Sequence, residues 1–148
     1  MSLSEQSVPT TPNFRAVIIA PHADSTWRLV QPTVQNALKA SKFEPWLLEK
    51  DVEAGAVWIN AVTNAIQKSD IVVADVTNLD PNSFYELGFA YALRIPTILL
   101  VNTEQNPKLP AALSGYHFIP YNSGELDALG KRIKRAADMQ FKRFNPEP

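Results

Sequence analysis

The 148-residue sequence contains no cysteine, which excludes disulfide bonds, thiolate metal sites and cysteine nucleophiles. No apolar run approaches the roughly 20 residues that a membrane-spanning helix requires. The 14 basic and 15 acidic side chains nearly cancel, so no overall field recruits nucleic acid or an anionic membrane. We therefore expect a cytoplasmic protein whose partner is neither a membrane nor a nucleic acid.

Several motifs that are typical of well-known enzyme classes are also missing. The chain has no glycine-rich phosphate loop, no H-E-x-x-H zinc motif and no serine nucleophile elbow. A kinase, a metalloprotease and an α/β-hydrolase therefore have no support in the sequence. We expect neither a bound metal nor a cofactor.

The composition changes near residue 14. Residues 1–13 are rich in serine, threonine and proline, which cannot build a core, so we expect a short disordered tail there. Residues 14–144 show one continuous pattern without repeats. Their number suits a single domain with one core.

Strand-like and helix-like segments alternate along this domain. Apolar runs predict strands at residues 14–20, 43–48, 70–76, 97–101 and 116–121. Helical spacing of apolar residues predicts helices at residues 25–41, 56–68, 81–94 and 125–144. This alternation predicts a parallel sheet covered by helices on both faces.

Two features predict the order of the strands. The third strand is apolar throughout its centre, which favours a central position. Pro45 lies inside the second strand, and proline cannot donate to a ladder, so that strand belongs at an edge. With right-handed crossovers, these positions predict a flavodoxin-like three-layer sandwich with a five-stranded parallel sheet of order 2-1-3-4-5.

The order of the strands predicts where a ligand binds. In such sheets the ligand occupies the carboxyl ends of the strands where the winding direction reverses, here between strands 1 and 3. Residues 21–24 and 75–78 should therefore form the walls of one crevice. Its polar side chains, which we expect to contact the ligand, are His22, Asp24, Asp75 and Asn78.

The helix after strand 3 has two competing start signals. Asp80 followed by Pro81 is typical of an N-cap and a first helical residue. Ser83 and Glu86 match the S-x-x-E capping box, in which Glu86 accepts a bond from the Ser83 N–H. Proline at the first helical position favours Asp80, which would release Glu86 for another role.

Glu86 is a candidate for chemistry because side chains on a helix lean toward its N-terminus and hence toward the crevice. Gly88 removes a side chain beside it and permits close approach of the sheet or a ligand. Asp75 and Glu86 together suit a sugar, since one carboxylate can attack an anomeric carbon while its partner holds hydroxyls or handles a proton. Asn82 and Tyr85 would shape the same pocket.

Residues 69–93, SDIVVADVTNLDPNSFYELGFAYAL, resemble the nucleoside 2-deoxyribosyltransferase-like superfamily. They are most similar to its small TIR-like members, with a strand ending A-D-(L/V)-T and then N-P-N-(V/S)-F-Y-E-L-G. The resemblance extends over about residues 14–101. It implies that Glu86 is the nucleophile that attacks the anomeric carbon of an N-glycoside, and that Asp75 assists at the sugar or the base.

The resemblance implies a nucleoside or nucleotide as the small-molecule partner, and a homodimer. The sequence departs from the family at Ala20-Pro21-His22, where those members have M-P-F. The transferases also use an asparagine or carboxylate from the C-terminus of a neighbouring subunit, and here Asn145 is the candidate. Transfer between bases and hydrolysis of the N-glycosidic bond, including that of NAD as in catalytic TIR domains, both stay open.

Two other functions remain compatible with the sequence. One is a non-catalytic nucleotide sensor or signalling module that uses the same crevice, as some TIR-like relatives do in bacterial defence. The other is a protein-interaction domain in which Glu86 only caps a helix. Release of a free base, and its loss when Glu86 is replaced, separates the enzyme from both.

Overall fold

A computed structural model describes residues 14–21, 23–47, 56–78, 80–144 and 146. The strands are β1 (Phe14–Ile19), β2 (Phe43–Leu47), β3 (Ile71–Asp75), β4 (Thr97–Asn102) and β5 (Phe118–Tyr121). The α-helices are α1 (Ser25–Ala40), α2 (Ala56–Gln67), α3 (Pro81–Ala92) and α4 (Leu126–Phe144). Every predicted element is present, and two short 3₁₀ turns that were not predicted lie between β4 and β5. The predicted tail, His22 and Asn145 lie outside the described residues.

The five strands form one parallel sheet in the order β2-β1-β3-β4-β5. The predicted flavodoxin-like topology is therefore confirmed. Pro45 lies on β2, opposite Ala16 of β1. Because β2 is an edge strand, no strand pairs with its outer side, and an edge strand is where a sheet tolerates proline. Within the described part of the chain, no helix combines the length and the apolar character needed to cross a membrane.

Strand β3 lies in the middle of the sheet, and all five of its residues are buried. Side chains alternate between the two faces of a strand. Ile71 and Val73 pack with helices α1 and α4, and Val72 and Ala74 pack with helices α2 and α3. We name these two surfaces of the sheet the α1–α4 face and the α2–α3 face.

This alternation decides where the two predicted catalytic carboxylates lie. Asp75 follows Ile71 and Val73 at a spacing of two, so its side chain belongs to the α1–α4 face. Glu86 lies on α3, whose Leu87 and Ala90 pack on the α2–α3 face. The two carboxylates therefore belong to elements that pack on opposite faces of the sheet.

Candidate active site

Asp75 ends β3 with both of its carboxylate oxygens engaged. Oδ1 accepts hydrogen bonds from the backbone N–H of Thr77 at 3.0 Å and from its hydroxyl at 2.6 Å. Oδ2 accepts a hydrogen bond from the hydroxyl of Tyr121 at 2.5 Å. Because a carboxylate has about four acceptor positions, three of those of Asp75 are used by the protein itself.

Thr77 extends this network to β4. Its hydroxyl oxygen accepts a hydrogen bond from the backbone N–H of Asn102 at 2.8 Å. The side-chain oxygen of Asn102 in turn accepts from the backbone N–H of Glu104 at 3.0 Å. Side chains at the carboxyl ends of β3 and β5 and the backbone at the end of β4 are thus joined in one hydrogen-bonded network centred on Asp75.

Burial changes the acidity of this network. Burial raises the pKa of Asp75 above its ordinary value of 3.8, although hydrogen bonds from Thr77 and Tyr121 act in the opposite direction. Burial also raises the pKa of Tyr121, and the neighbouring charge of Asp75 adds to that increase. Tyr121 therefore stays protonated and acts as the donor of the pair.

Asp24 has a different environment at the start of α1. It is the N-cap, and its Oδ1 accepts from the backbone N–H of Thr26 at 2.7 Å and of Trp27 at 3.2 Å. Burial alone would raise the pKa of Asp24, but these bonds and one from Asn78 outweigh it and lower the pKa. Asp24 is the more acidic of the two pocket carboxylates.

Asn78 connects the two walls of the predicted crevice. Its side-chain nitrogen donates to Oδ2 of Asp24 at 3.2 Å and also to the side-chain oxygen of Gln105. Asp24, Asp75 and Asn78 therefore line one pocket, as the strand order predicts. The residues that line this pocket are Pro21, Asp24, Thr26, Trp27, Asp75, Thr77, Asn78, Asn102, Gln105 and Tyr121.

The start of α3 resolves the competition between the two capping signals. Asp80 is the N-cap, its Oδ1 accepts from the backbone N–H of Ser83 at 2.8 Å, and Pro81 is the first helical residue. In a capping box the backbone N–H of Ser83 would bond to Glu86, but here it is bonded to Asp80. The prediction that Asp80 starts this helix is confirmed.

Glu86 lies on the inner side of α3 and is only 2% exposed. The buried residues of this helix are Ser83, Glu86, Leu87 and Ala90, and Phe84 is half-buried against the α2–α3 core. Burial of a carboxylate is costly, so a buried glutamate points to a function or to a specific structural need.

The other predicted contacts on α3 lie on its outer side. Asn82, Tyr85 and Gly88 are all exposed. A Cβ built at Gly88 would meet none of the described atoms within 4 Å, so the sheet does not approach it closely. The alternative, close approach of a ligand at Gly88, stays a prediction. Within the described ranges, no three histidine, aspartate or glutamate side chains form a group that could hold a metal ion.

Sequence reasoning missed the partners that hold the pocket together. The sequence pattern places Tyr121 at the end of a predicted strand and Asn102 directly after another, and it assigns neither residue a role in the crevice. The signal available for Tyr121 and Asn102 was their position at the carboxyl ends of β5 and β4, the edge at which the crevice was predicted. Trp27 is fully buried and lines the pocket.

Three solved structures resemble the fold of this chain. The CMP N-glycosidase of Clostridium botulinum has a TM-score of 0.59 and 20% identity, covering 80% of this chain and 98% of that protein. The 2-deoxyribosyltransferase of Bacillus psychrosaccharolyticus gives 0.58 and 14%, over 78% and 90%. The enzyme of the same name from Leishmania mexicana gives 0.55 and 15%, over 80% and 97%. At these identities the similarity shows the fold.

A curated relative of a different kind is the small ribosomal subunit protein uS2 of Mycoplasma genitalium. It is 30% identical over 100 residues, which are 68% of this chain and 34% of that protein. The chain therefore spans about a third of the length of this relative.

The family match covers most of the domain. Residues 21–142 match the family described as nucleoside 2-deoxyribosyltransferase. The matched range contains the pocket around Asp75, the capped start of α3 and Glu86. The chain therefore belongs to the nucleoside 2-deoxyribosyltransferase family.

Proposed function

We propose that this protein cleaves or transfers the N-glycosidic bond of a nucleoside or nucleotide, with Glu86 as the nucleophile. The observation that carries this proposal is the burial of Glu86 on the inner side of α3, where Asp80 already caps the helix. Family membership supports the same assignment. A glutamate carboxylate can attack an anomeric carbon and form a covalent glycosyl intermediate.

The proposed reaction has two displacements at the anomeric carbon. In the first, a carboxylate oxygen of Glu86 bonds to that carbon while the bond to the base nitrogen breaks, and the electron pair leaves with the base. In the second, an oxygen of water or a nitrogen of another base attacks the same carbon and releases Glu86 as a carboxylate. The acceptor loses one proton in this step, which balances the proton that the departed base takes up. Water as acceptor gives hydrolysis, and a base gives transfer.

Asp75 would orient the sugar in this reaction. Three of its acceptor positions are occupied by Thr77 and Tyr121, which leaves about one for a substrate hydroxyl. The raised pKa of Asp75 also brings it closer to the range in which a carboxyl exchanges a proton near neutral pH.

The remaining predicted contacts are proposed to bind substrate around these two carboxylates. Asp24 lines the pocket on the β1 side, and Asn78 lines it on the β3 side. The exposed Asn82 and Tyr85 lie on α3 near Glu86 in the sequence. Gly88 and His22 are also proposed to contact the substrate, as the sequence predicts. A homodimer, implied by the family, would place a neighbour's C-terminus close to the site.

The test is release of free base from a defined panel of substrates. CMP is the first choice because one structural neighbour is named as a CMP N-glycosidase, and deoxynucleosides, other nucleotides and NAD complete the panel. Chromatography follows the base for the wild type and for Glu86→Gln, with Glu125→Gln as the control at an exposed glutamate. We expect Glu86→Gln to lose at least about 10³-fold in rate and Glu125→Gln to match the wild type.

The covalent step has its own readout. Rapid acid quenching followed by intact mass measurement should show one added pentosyl group in the wild type and none in Glu86→Gln. Unchanged base release by a folded Glu86→Gln variant would rule out the nucleophile. If no substrate releases a base but a nucleotide binds saturably to both proteins, the site is a sensor rather than an enzyme.

The acceptor is identified in the same assay. A second, labelled base is added, and a labelled nucleoside appears only if the enzyme transfers the sugar. Release of free base and free sugar without exchange identifies hydrolysis. Light scattering of the purified protein, with and without substrate, tests for the dimer.

A further inference from the structure

Two residues that line the pocket each carry a buried nitrogen donor for which the described residues provide no acceptor. Trp27 and Asn102 both line the pocket that contains Asp24 and Asp75, and each is only 1% exposed. The indole Nε1 of Trp27 and the amide Nδ2 of Asn102 have no partner in the described part of the chain. Because buried polar groups in folded proteins are nearly always bonded, two such donors beside one pocket point to a ligand atom that accepts from them.

The orientation of the Asn102 amide is fixed by its other contact. Its Oδ1 accepts a hydrogen bond from the backbone N–H of Glu104 at 3.0 Å. A flipped amide would put its NH₂ group against that N–H, donor against donor. Nδ2 of Asn102 is therefore the atom left to bond a ligand.

The carboxylates of the pocket restrict the chemistry of that ligand. An anionic oxygen, such as one of phosphate, accepts from Trp27 and Asn102 but is repelled by Asp24 and Asp75. An ammonium group suits the carboxylates but leaves both N–H donors unbonded. A hydroxyl oxygen satisfies both sets, because it accepts from an N–H group and donates its own proton to a carboxylate.

The size of the cavity agrees with a group of that kind. Its volume is about 10 Å³, which is room for one water-sized group. The exposed Asn78 and Gln105 lie on its lining, so the pocket can be reached from solvent.

We propose that Trp27 and Asn102 form a hydroxyl-binding subsite beside Asp24 and Asp75. The hydroxyl oxygen comes from the pentose of the substrate or from a water molecule. The pentose as source rests on the proposed function. The water as source does not, because it needs only the donors and acceptors of the pocket.

Nuclear magnetic resonance of the ¹⁵N-labelled protein tests the subsite directly. The chain has three tryptophans, and the indole resonance of Trp27 is assigned by its disappearance in Trp27→Phe. The probes are methyl β-ribofuranoside and its 2-deoxy analogue, with inorganic phosphate at equal ionic strength as the contrasting anion. Trp46 is the internal control, because it lies on β2 under the guanidinium of Arg15 and packs with the α2–α3 face, whereas Trp27 packs with the α1–α4 face.

We expect the Trp27 indole resonance to shift saturably with a pentoside while that of Trp46 stays in place. Trp27→Phe, which keeps an aromatic ring but removes the donor, should weaken pentoside binding roughly 3- to 10-fold. Asn102→Asp keeps the acceptor for Glu104 and replaces the donor by an acceptor, so it should weaken binding at least as much. A pentoside that binds both variants as tightly as the wild type overturns the proposal.

A second arm distinguishes the water molecule from the pentose. If no pentoside moves the Trp27 resonance, cross-relaxation between the Trp27 indole proton and a long-lived water identifies water as the hydroxyl source. Absence of both effects overturns the subsite. So does a saturable shift with phosphate but not with pentosides, because the ligand class would then be an anion.

The titration also separates this inference from the proposed function. It is repeated on Glu86→Gln, which lacks the proposed nucleophile and keeps the pocket residues. Base release by the wild type without any effect at Trp27 overturns the subsite and leaves the enzyme. A pentoside shift in both proteins, with no base release from any substrate, supports the subsite and overturns the enzyme.

Discussion

The hydroxyl of Tyr121 donates a hydrogen bond of 2.5 Å to Oδ2 of Asp75 across the intervening strand β4. In the sheet, Asp75 lies beside Leu100 and Tyr121 lies beside Asn102. The long side chain of Tyr121 thus reaches from an edge strand to the central strand at the carboxyl edge. The position of the Asp75 carboxylate therefore depends on β5, a strand that contributes none of the predicted site residues.

Tyr121→Phe measures how much the hydrogen bond from Tyr121 to Asp75 contributes to stability. It removes one donor from a buried charged group, so we expect a loss of roughly 1.5–3 kcal/mol in the free energy of unfolding. For a chain of this size the Tm falls by about 2–4 °C for each kcal/mol. Tyr116→Phe is the control, because Tyr116 is exposed and its ring keeps its stacking on Tyr91. Equal stability of the two variants would contradict the assignment.

Asp75→Asn should change how stability depends on pH. Burial raises the pKa of Asp75 above 3.8, so the folded protein holds this proton more tightly than the unfolded chain does. The stabilisation from Asp75 is therefore complete below pH 3.8 and is lost as the pH rises through the raised pKa. Since the asparagine of the variant does not titrate, the unfolding free energy of the variant relative to the wild type should increase over the same rise in pH.

Denaturant unfolding at a series of pH values gives that difference directly. A constant difference between Asp75→Asn and the wild type from acidic to neutral pH would show that burial does not shift the pKa of Asp75. The loss of one or more hydrogen bonds in the variant offsets the whole curve but does not change its slope with pH.

The architecture of this protein was predictable because each strand and helix carries its own local signal. β3 is a continuous apolar run, and Pro45 identifies the edge strand β2. Together with right-handed crossovers, these two positions predict the order of the strands in the sheet. The order in turn places Asp24, Asp75 and Asn78 in one pocket, although residues 24 and 75 are far apart in the chain.

The contacts made by long side chains were not predictable in the same way. Tyr121 reaches Asp75 because β4 and β5 pair in one particular register after a long connection. Local sequence patterns do not reveal that register. The burial of Glu86 depends on the rotation of α3 about its axis. The spacing of Phe84 and Leu87 predicts a core side but does not show that Glu86 shares it.

Asp80→Ala tests the start of α3 on which the assignment of Glu86 depends. The variant loses the hydrogen bond that Oδ1 accepts from the Ser83 N–H, and loss of an N-cap costs about 0.5–2 kcal/mol. Asp80→Ser keeps a capping oxygen and should recover most of that loss in thermal unfolding. If Asp80→Ala is as stable as the wild type, Asp80 does not determine the start of the helix.

Thr77→Val tests the link between β3 and β4 without changing the shape of the side chain. The hydroxyl of Thr77 donates to Asp75 at 2.6 Å and accepts from the Asn102 N–H at 2.8 Å. Valine removes both bonds and leaves a buried N–H without an acceptor, so we expect a loss of roughly 1–3 kcal/mol in denaturant unfolding. Thr77→Ser keeps the hydroxyl and is the matched control.

The same variant should also alter the pH dependence of base release. The hydrogen bond from the Thr77 side chain lowers the pKa of Asp75, so its removal raises that pKa further. If ionised Asp75 orients the sugar, activity falls as the pH drops through this pKa, and the acid limb of kcat/KM should move to higher pH in Thr77→Val. Thr77→Ser should keep the limb of the wild type. An unmoved limb in a destabilised Thr77→Val variant would show that Asp75 supports the fold and not the reaction.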